Sequence, residues 1–149
     1  MLFPNSLADV LNTTKQINLK EYTMPIARID LPKRKDASYS SKIGQVVYEA
    51  LLSVGVPADD RFQVIQEHDA EHLVIHPSYL GIQRSKDAIM IQITWNEGRT
   101  LEQKRALYKA IVDGCHAEVG LRREDVVINL VEVKKENWSF GNGEAQYAK

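Results

Sequence analysis

A chain of 149 residues suits one domain with a real core, and 44% apolar with 26% charged residues is the composition of an ordinary globular protein. With 19 basic against 20 acidic side chains the net charge is −1, which gives no reason to expect a nucleic-acid face. Cys115 is the only cysteine, which excludes an intramolecular disulfide, and no apolar run approaches the roughly 18 residues of a membrane span, so a cytoplasmic protein is expected.

Residues 1–23 read as an N-terminal extension and 24–149 as the domain. The extension has no basic leader before an apolar block, its first lysine being Lys15. Leu7, Val10 and Leu11 could line a short helix, which the polar run from Asn12 to Gln16 makes marginal. From Pro25 the pattern sharpens. "IARIDL" alternates like a strand, and "PKRKDASYSS" reads as a solvated loop near a pocket mouth. Ile43, Val46, Val47, Ala50, Leu51 and Val54 recur at helical spacing, with Ser40 or Ser41 as the N-cap and Gly55 just past the end. "RFQVIQEH" and "HLVIH" read as strands joined in a hairpin through Asp69 and Ala70. "AIMIQIT" reads as a buried central strand. Thr100 and Gln103 make a capping-box pattern ahead of a second amphipathic helix, carrying Leu107, Ala110, Ile111, Cys115 and Val119 and stopped at Gly120. "DVVINLVEV" is a further strand, and "NWSFGNGEAQY" a loop-rich tail.

The halves repeat. Gly55 and Gly120 are 65 apart (120 − 55), as are Asp60 and Asp125 (125 − 60), and the same shift carries Ile26 onto Ile91. A duplicated strand–helix–strand unit with pseudo-two-fold symmetry accounts for this. Each unit is expected as a right-handed parallel crossover, with both helices on one face of a shared sheet. The other face then needs a cover, which points to an oligomer.

Tandem units, a proline opening the first strand, and the stretches "PADDRFQ", "GIQRS", "GRT…QK" and "NWSFGNGEAQ" resemble the tautomerase superfamily, in the branch of malonate semialdehyde decarboxylase. The likeness runs over about residues 24–147. It implies an α/β (α+β sandwich) protein that assembles as a homotrimer. It also implies acid–base chemistry by an N-terminal proline on a small enol or keto carboxylic acid, with neither metal nor organic cofactor. Proline is a secondary amine only as a first residue; inside a chain its nitrogen is an amide. An α-amino group titrates near pH 8, and apolar surroundings push it lower, where proton transfer at neutral pH is useful. The expectation is therefore that translation starts at Met24, or that the extension is cut, leaving Pro25 first. In the other reading the extension stays, Pro25 is blocked, and the chain is a noncatalytic assembly protein of the same fold.

By the resemblance, Asp60 is the acid that positions the proline, a water or the substrate. Arg99 is the carboxylate clamp, and Trp138 and Phe140 are the apolar wall. Asp125, the internal counterpart of Asp60, is expected to be structural, since the proline occurs in the first unit alone. The decarboxylase branch resembles Arg-Pro-Arg-Thr where this chain has Asn96-Glu97-Gly98-Arg99-Thr100. One arginine is missing, and Glu97 could engage Arg99 or repel an acid. Tautomerisation, which asks least of the site, is accordingly favoured over decarboxylation of a 3-oxo acid or hydration. Arg84 is read as structural and Cys115 as inert. His68, His72 and His76 lie along an extended segment and cannot converge on one ion without a sharp turn, so no metal site is expected.

Overall fold

The computed structural model describes residues 24–148, and the extension with its Leu7, Val10 and Leu11 stripe lies outside them. Two β-α-β units build the domain. The first is β1 (Ile26–Pro32), α1 (Tyr39–Ser53) and β2 (Phe62–His68). A small hairpin follows, β3 (Ser78–Tyr79) and β4 (Ile82–Gln83), and then the second unit: β5 (Ile89–Asn96), α2 (Leu101–Val119) and β6 (Val126–Val133). The main sheet runs β2-β1-β5-β6. β1 and β2 are parallel, as are β5 and β6, while β1 and β5 meet antiparallel in the middle. That central antiparallel pair is what the pseudo-two-fold duplication requires.

Period-two alternation decides which face each strand buries. Ala27, Ile29 and Leu31 of β1 and Ile89, Ile91, Ile93 and Trp95 of β5 are sealed under the helices. Ile43, Val46, Val47, Ala50 and Leu51 of α1 and Leu107, Ile111 and Cys115 of α2 close the same core. Each fully buried isoleucine or leucine contributes roughly 1.5–3 kcal/mol. The two helices touch at Gly114, where an added Cβ would lie 2.6 Å from the Val46 side chain, so their close approach depends on glycine. The opposite sheet face is open in the protomer, with Phe62, Val64 and Met90 exposed.

Local signals explain most element ends. The Thr100 hydroxyl accepts from the Gln103 amide at 3.2 Å, and the Gln103 side chain accepts from the Thr100 amide at 2.9 Å, completing the capping box. Gly55 (φ 98°) and Gly120 (φ 68°) take the left-handed conformation past the two helices.

Several expectations need correction. The first helix begins at Tyr39, so its N-cap is Ser38 rather than Ser40 or Ser41; Asp36 Oδ1 organises that turn by accepting from the Ser38 amide and hydroxyl. The central strand of the second unit runs on through Trp95 and Asn96. Residues 73–76 form no strand: after β2 the chain turns through a 3-10 segment, Ala70–His72, instead of doubling back on β2 as a hairpin. The hairpin that does form is β3–β4, closed by Leu80 (φ 54°) and Gly81 (φ 74°), both left-handed as a tight two-residue turn demands. The 65-residue offset holds for the glycines and aspartates but slips by one in the strands: Ile26 stands opposite Phe62, whereas Ile91 stands opposite Ile128. Finally, the loop after β1 lies at the end of the sheet away from Pro25 within a protomer, not at the mouth beside it. There Arg34 stacks on Tyr39 (4.3 Å) and pairs with Asp87 (3.4 Å). Among the described residues no helix is long and apolar enough to cross a membrane.

Candidate active site

One end of the sheet collects the predicted residues. Pro25 is buried immediately ahead of β1. Ile26 stands between Phe62 of β2 and Thr94 of β5, so Pro25, one residue earlier, falls beside Arg61 on one flank and Trp95 on the other. Asp60 therefore enters from the start of β2, Asn96 and Arg99 from the end of β5, and Trp138 and Phe140 from the segment following β6, whose Val133 is paired with Asn96. Parallel and antiparallel pairing together bring the start of one strand and the end of its neighbour to the same edge.

Asp60 is 5% exposed, and neither carboxylate oxygen has a hydrogen-bond donor among the described residues. Burial, reinforced by the neighbouring Asp59 charge and opposed by Arg99, raises its pKa to about 6. Such a group is poised to change protonation near neutral pH. Asp125, its counterpart in the second unit, is also buried but satisfied. It accepts from the Ser85 amide at 2.7 Å and the Ser85 hydroxyl at 2.5 Å, and so pins the approach to β5. Two aspartates at repeated positions thus differ in environment, Asp125 bonded to Ser85 and Asp60 without a donor among the described residues.

Arg99 stacks on the Trp95 indole (3.9 Å to the ring centre) and donates from Nη1 to the Asn96 carbonyl at 2.9 Å. Desolvation lowers its pKa, while Glu132 and Asp60 raise it; a guanidinium nonetheless stays protonated. Glu132 and Asp60 are thus acidic groups that act on Arg99. Glu97 is exposed, with its amide bonded to the Val133 carbonyl.

Trp138 stacks on Phe140 at 5.2 Å, and Phe140 also meets Phe62 at 6.0 Å and Tyr147 edge-on at 5.2 Å. The turn at 141–143 is held by Gln146, which accepts from the Phe140 amide and donates to the Gly141 carbonyl, both at 2.9 Å. The Trp138 indole Nε1 donates to Asn96 Oδ1 at 2.6 Å. Beside Asn96 lies a hollow of about 730 Å³, walled in part by Glu97, Lys134, Lys135 and Tyr147.

Sequence reasoning singled out Pro25, Asp60, Arg99, Trp138 and Phe140 but missed Asn96, Trp95, Phe62 and Tyr147. Two adjacent residues at a strand end, Trp95 and Asn96, carry no motif; a buried amide next to a basic turn was the only available signal. Other candidates fall elsewhere. The His68 ring nitrogen bonds Asp30 Oδ1 at 2.7 Å, His76 Nδ1 accepts from the Ser78 amide at 3.0 Å, and His72 stands exposed beside Asp69 and Glu71, so the three histidines do not converge on one another. Arg84 ties its loop together through the Pro77 and His76 carbonyls. Burial pushes the Cys115 thiol up to about 12.

Similarity to known proteins agrees with this arrangement. The profile of the tautomerase enzyme family matches residues 60–141. The chain is 38% identical to the probable tautomerase YusQ of Bacillus subtilis (strain 168) over 83% of its length and 98% of that protein's, and 32% identical to the probable tautomerase YrdN of the same organism over 83% and 96%. Among solved structures, FG41 malonate semialdehyde decarboxylase inhibited by 3-bromopropiolate superposes with a TM-score of 0.76 at 36% identity, covering 82% of this chain and 93% of that one. A fused 4-OT symmetric trimer superposes at 0.68 with 21% identity, covering 83% and 98%, and so shares the fold. With the repeated β-α-β units, the strand-end cluster and these matches in hand, the chain belongs to the tautomerase superfamily, among relatives of tautomerases and of malonate semialdehyde decarboxylase.

Proposed function

We propose that the active form begins at Pro25 and that its secondary amine performs acid–base chemistry on a small enol or keto carboxylic acid, with tautomerisation the favoured reaction. The observation that carries this reading is Asp60: a buried carboxylate with no donor among the described residues, at the strand end flanking Pro25. A proline nitrogen freed of Met24 would supply the N–H donors that this carboxylate lacks. In the neutral amine the nitrogen takes the enol hydroxyl proton and returns a proton to carbon, completing the keto acid. When charged, it polarises a carbonyl instead. Asp60 positions the amine, a water or the substrate. Arg99 holds the substrate carboxylate, its plane already set by Trp95. Trp138 and Phe140 keep the nitrogen dry and its pKa low. The open face bearing Phe62, Val64 and Met90 supports assembly into a homotrimer, the arrangement named for the fused 4-OT neighbour.

The Leu7, Val10 and Leu11 stripe is the feature that favours the second reading, a noncatalytic protein whose proline is covered by residues 1–23. One matched assay separates them. Protein beginning at Met1, protein beginning at Pro25 and the latter's Pro25→Ala form are compared on a phenylpyruvate-type enol and on a 3-oxo acid. The proline mechanism predicts activity in the Pro25-first protein and its loss in Pro25→Ala; equal rates for those two on every substrate eliminate it. Mass spectrometry of the native protein identifies which residue is first.

A further inference from the structure

We infer that Asn96 is a positioning residue of this site, holding the Trp138 wall with its side chain and the Arg99 clamp with its carbonyl. This role rests on the reading above for what Trp138 and Arg99 do, but the bonds themselves do not. Asn96 is 2% exposed at the end of β5. A buried amide is costly unless bonded, so an apolar residue would serve better if packing were the only requirement. Its Oδ1 accepts from the Trp138 indole across 42 residues of sequence, at 2.6 Å. Its backbone oxygen accepts from Arg99 Nη1 at 2.9 Å. Trp138 in turn stacks on Phe140. One residue thus sets the relative placement of an apolar wall and a cation that come from different strand ends.

The two bonds use different atoms, and this makes the role separable. Asn96→Ala removes the acceptor for Trp138 but keeps the carbonyl for Arg99. Substrate carboxylate binding should be preserved, while the wall over the amine loosens. The expected result is a fall of about tenfold in kcat, the size of one lost buried hydrogen bond, with KM changed less than about threefold. The acidic limb of the pH–rate profile should move upward as water reaches the amine.

A double-mutant cycle tests the assignment. In a Trp138→Phe background no indole N–H remains, so Asn96→Ala should have almost no further effect on kcat. An equal loss in both backgrounds overturns the proposal, because Asn96 would then act through general packing. A measurement on the unmodified full chain stands apart from any activity and from the folding of Asn96→Ala. The Trp138 indole N–H, assigned by its disappearance in Trp138→Phe, should exchange with solvent at least about tenfold more slowly than a free indole. Fast exchange overturns the proposal. Absence of activity on both substrate classes would sink the acid–base reading alone, and indole exchange would still decide whether Asn96 holds Trp138.

Discussion

Replacing Asp60 by asparagine removes a charge and little else. In the full chain, where the proline nitrogen is an amide, the carboxylate is buried, lacks a donor among the described residues and has its pKa raised from 3.8 to about 6. A raised acid is stabilising to the fold only while protonated. Its contribution is complete below the unfolded value and is lost as pH climbs through the folded one. At about 1.4 kcal/mol per unit, ionisation of Asp60 costs the fold roughly 3 kcal/mol at pH 8 and about 0.5 kcal/mol at pH 4. A neutral side-chain amide at this position mimics the protonated acid at every pH, so Asp60→Asn should stabilise the full chain by about 2.5 kcal/mol more at pH 8 than at pH 4. Urea unfolding at several pH values and one fixed protomer concentration reads this directly, the concentration being held because assembly contributes to stability. In protein beginning at Pro25, a prolinium beside Asp60 offsets the desolvation, and the gain should shrink or reverse. An unchanged stability difference between pH 4 and pH 8 would refute the buried-charge argument. The same pH-dependent gain in both chain forms would refute the pairing of Asp60 with the proline nitrogen. Activity should fall with the substitution in the Pro25-first protein, the usual cost of stabilising a functional site.

Asp125→Ala should behave oppositely to Asp60→Asn: it takes a fully buried acceptor from the half-buried Ser85 amide and hydroxyl, and a loss of about 2 kcal/mol in urea unfolding is expected, with near-neutral stability counting against the structural role. Cys115, buried completely and with its thiol raised to about 12, should resist a thiol reagent at pH 8 in folded protein and react only as the chain unfolds; rapid labelling without loss of fold would contradict the packing of α2 on the sheet.

Periodicity and capping chemistry act over a few residues, and for that reason the amino-acid order alone determined much here. The Ile43–Leu51 stripe, the Thr100–Gln103 capping box and the left-handed Gly55 and Gly120 are local instructions, and the structure executes them. The repeated glycine and aspartate spacing likewise forecast two β-α-β units on one sheet. Tertiary structure alone decided what depends on partners distant in the chain. Residues 72–76 read like a strand, but the chain leaves β2 through the 3-10 turn at Ala70–His72 and residues 73–76 pair with no strand among the described residues. Asp60 and Asp125 look interchangeable in sequence, and it is the arrival of Ser85 that gives Asp125 its donors, while Asp60 has none among the described residues. Asn96 looks like a turn residue until Trp138 returns from 42 positions away to claim its oxygen. A side chain's chemical readiness is set by which donors, charges and walls reach it, and that is settled only when the strand ends come together.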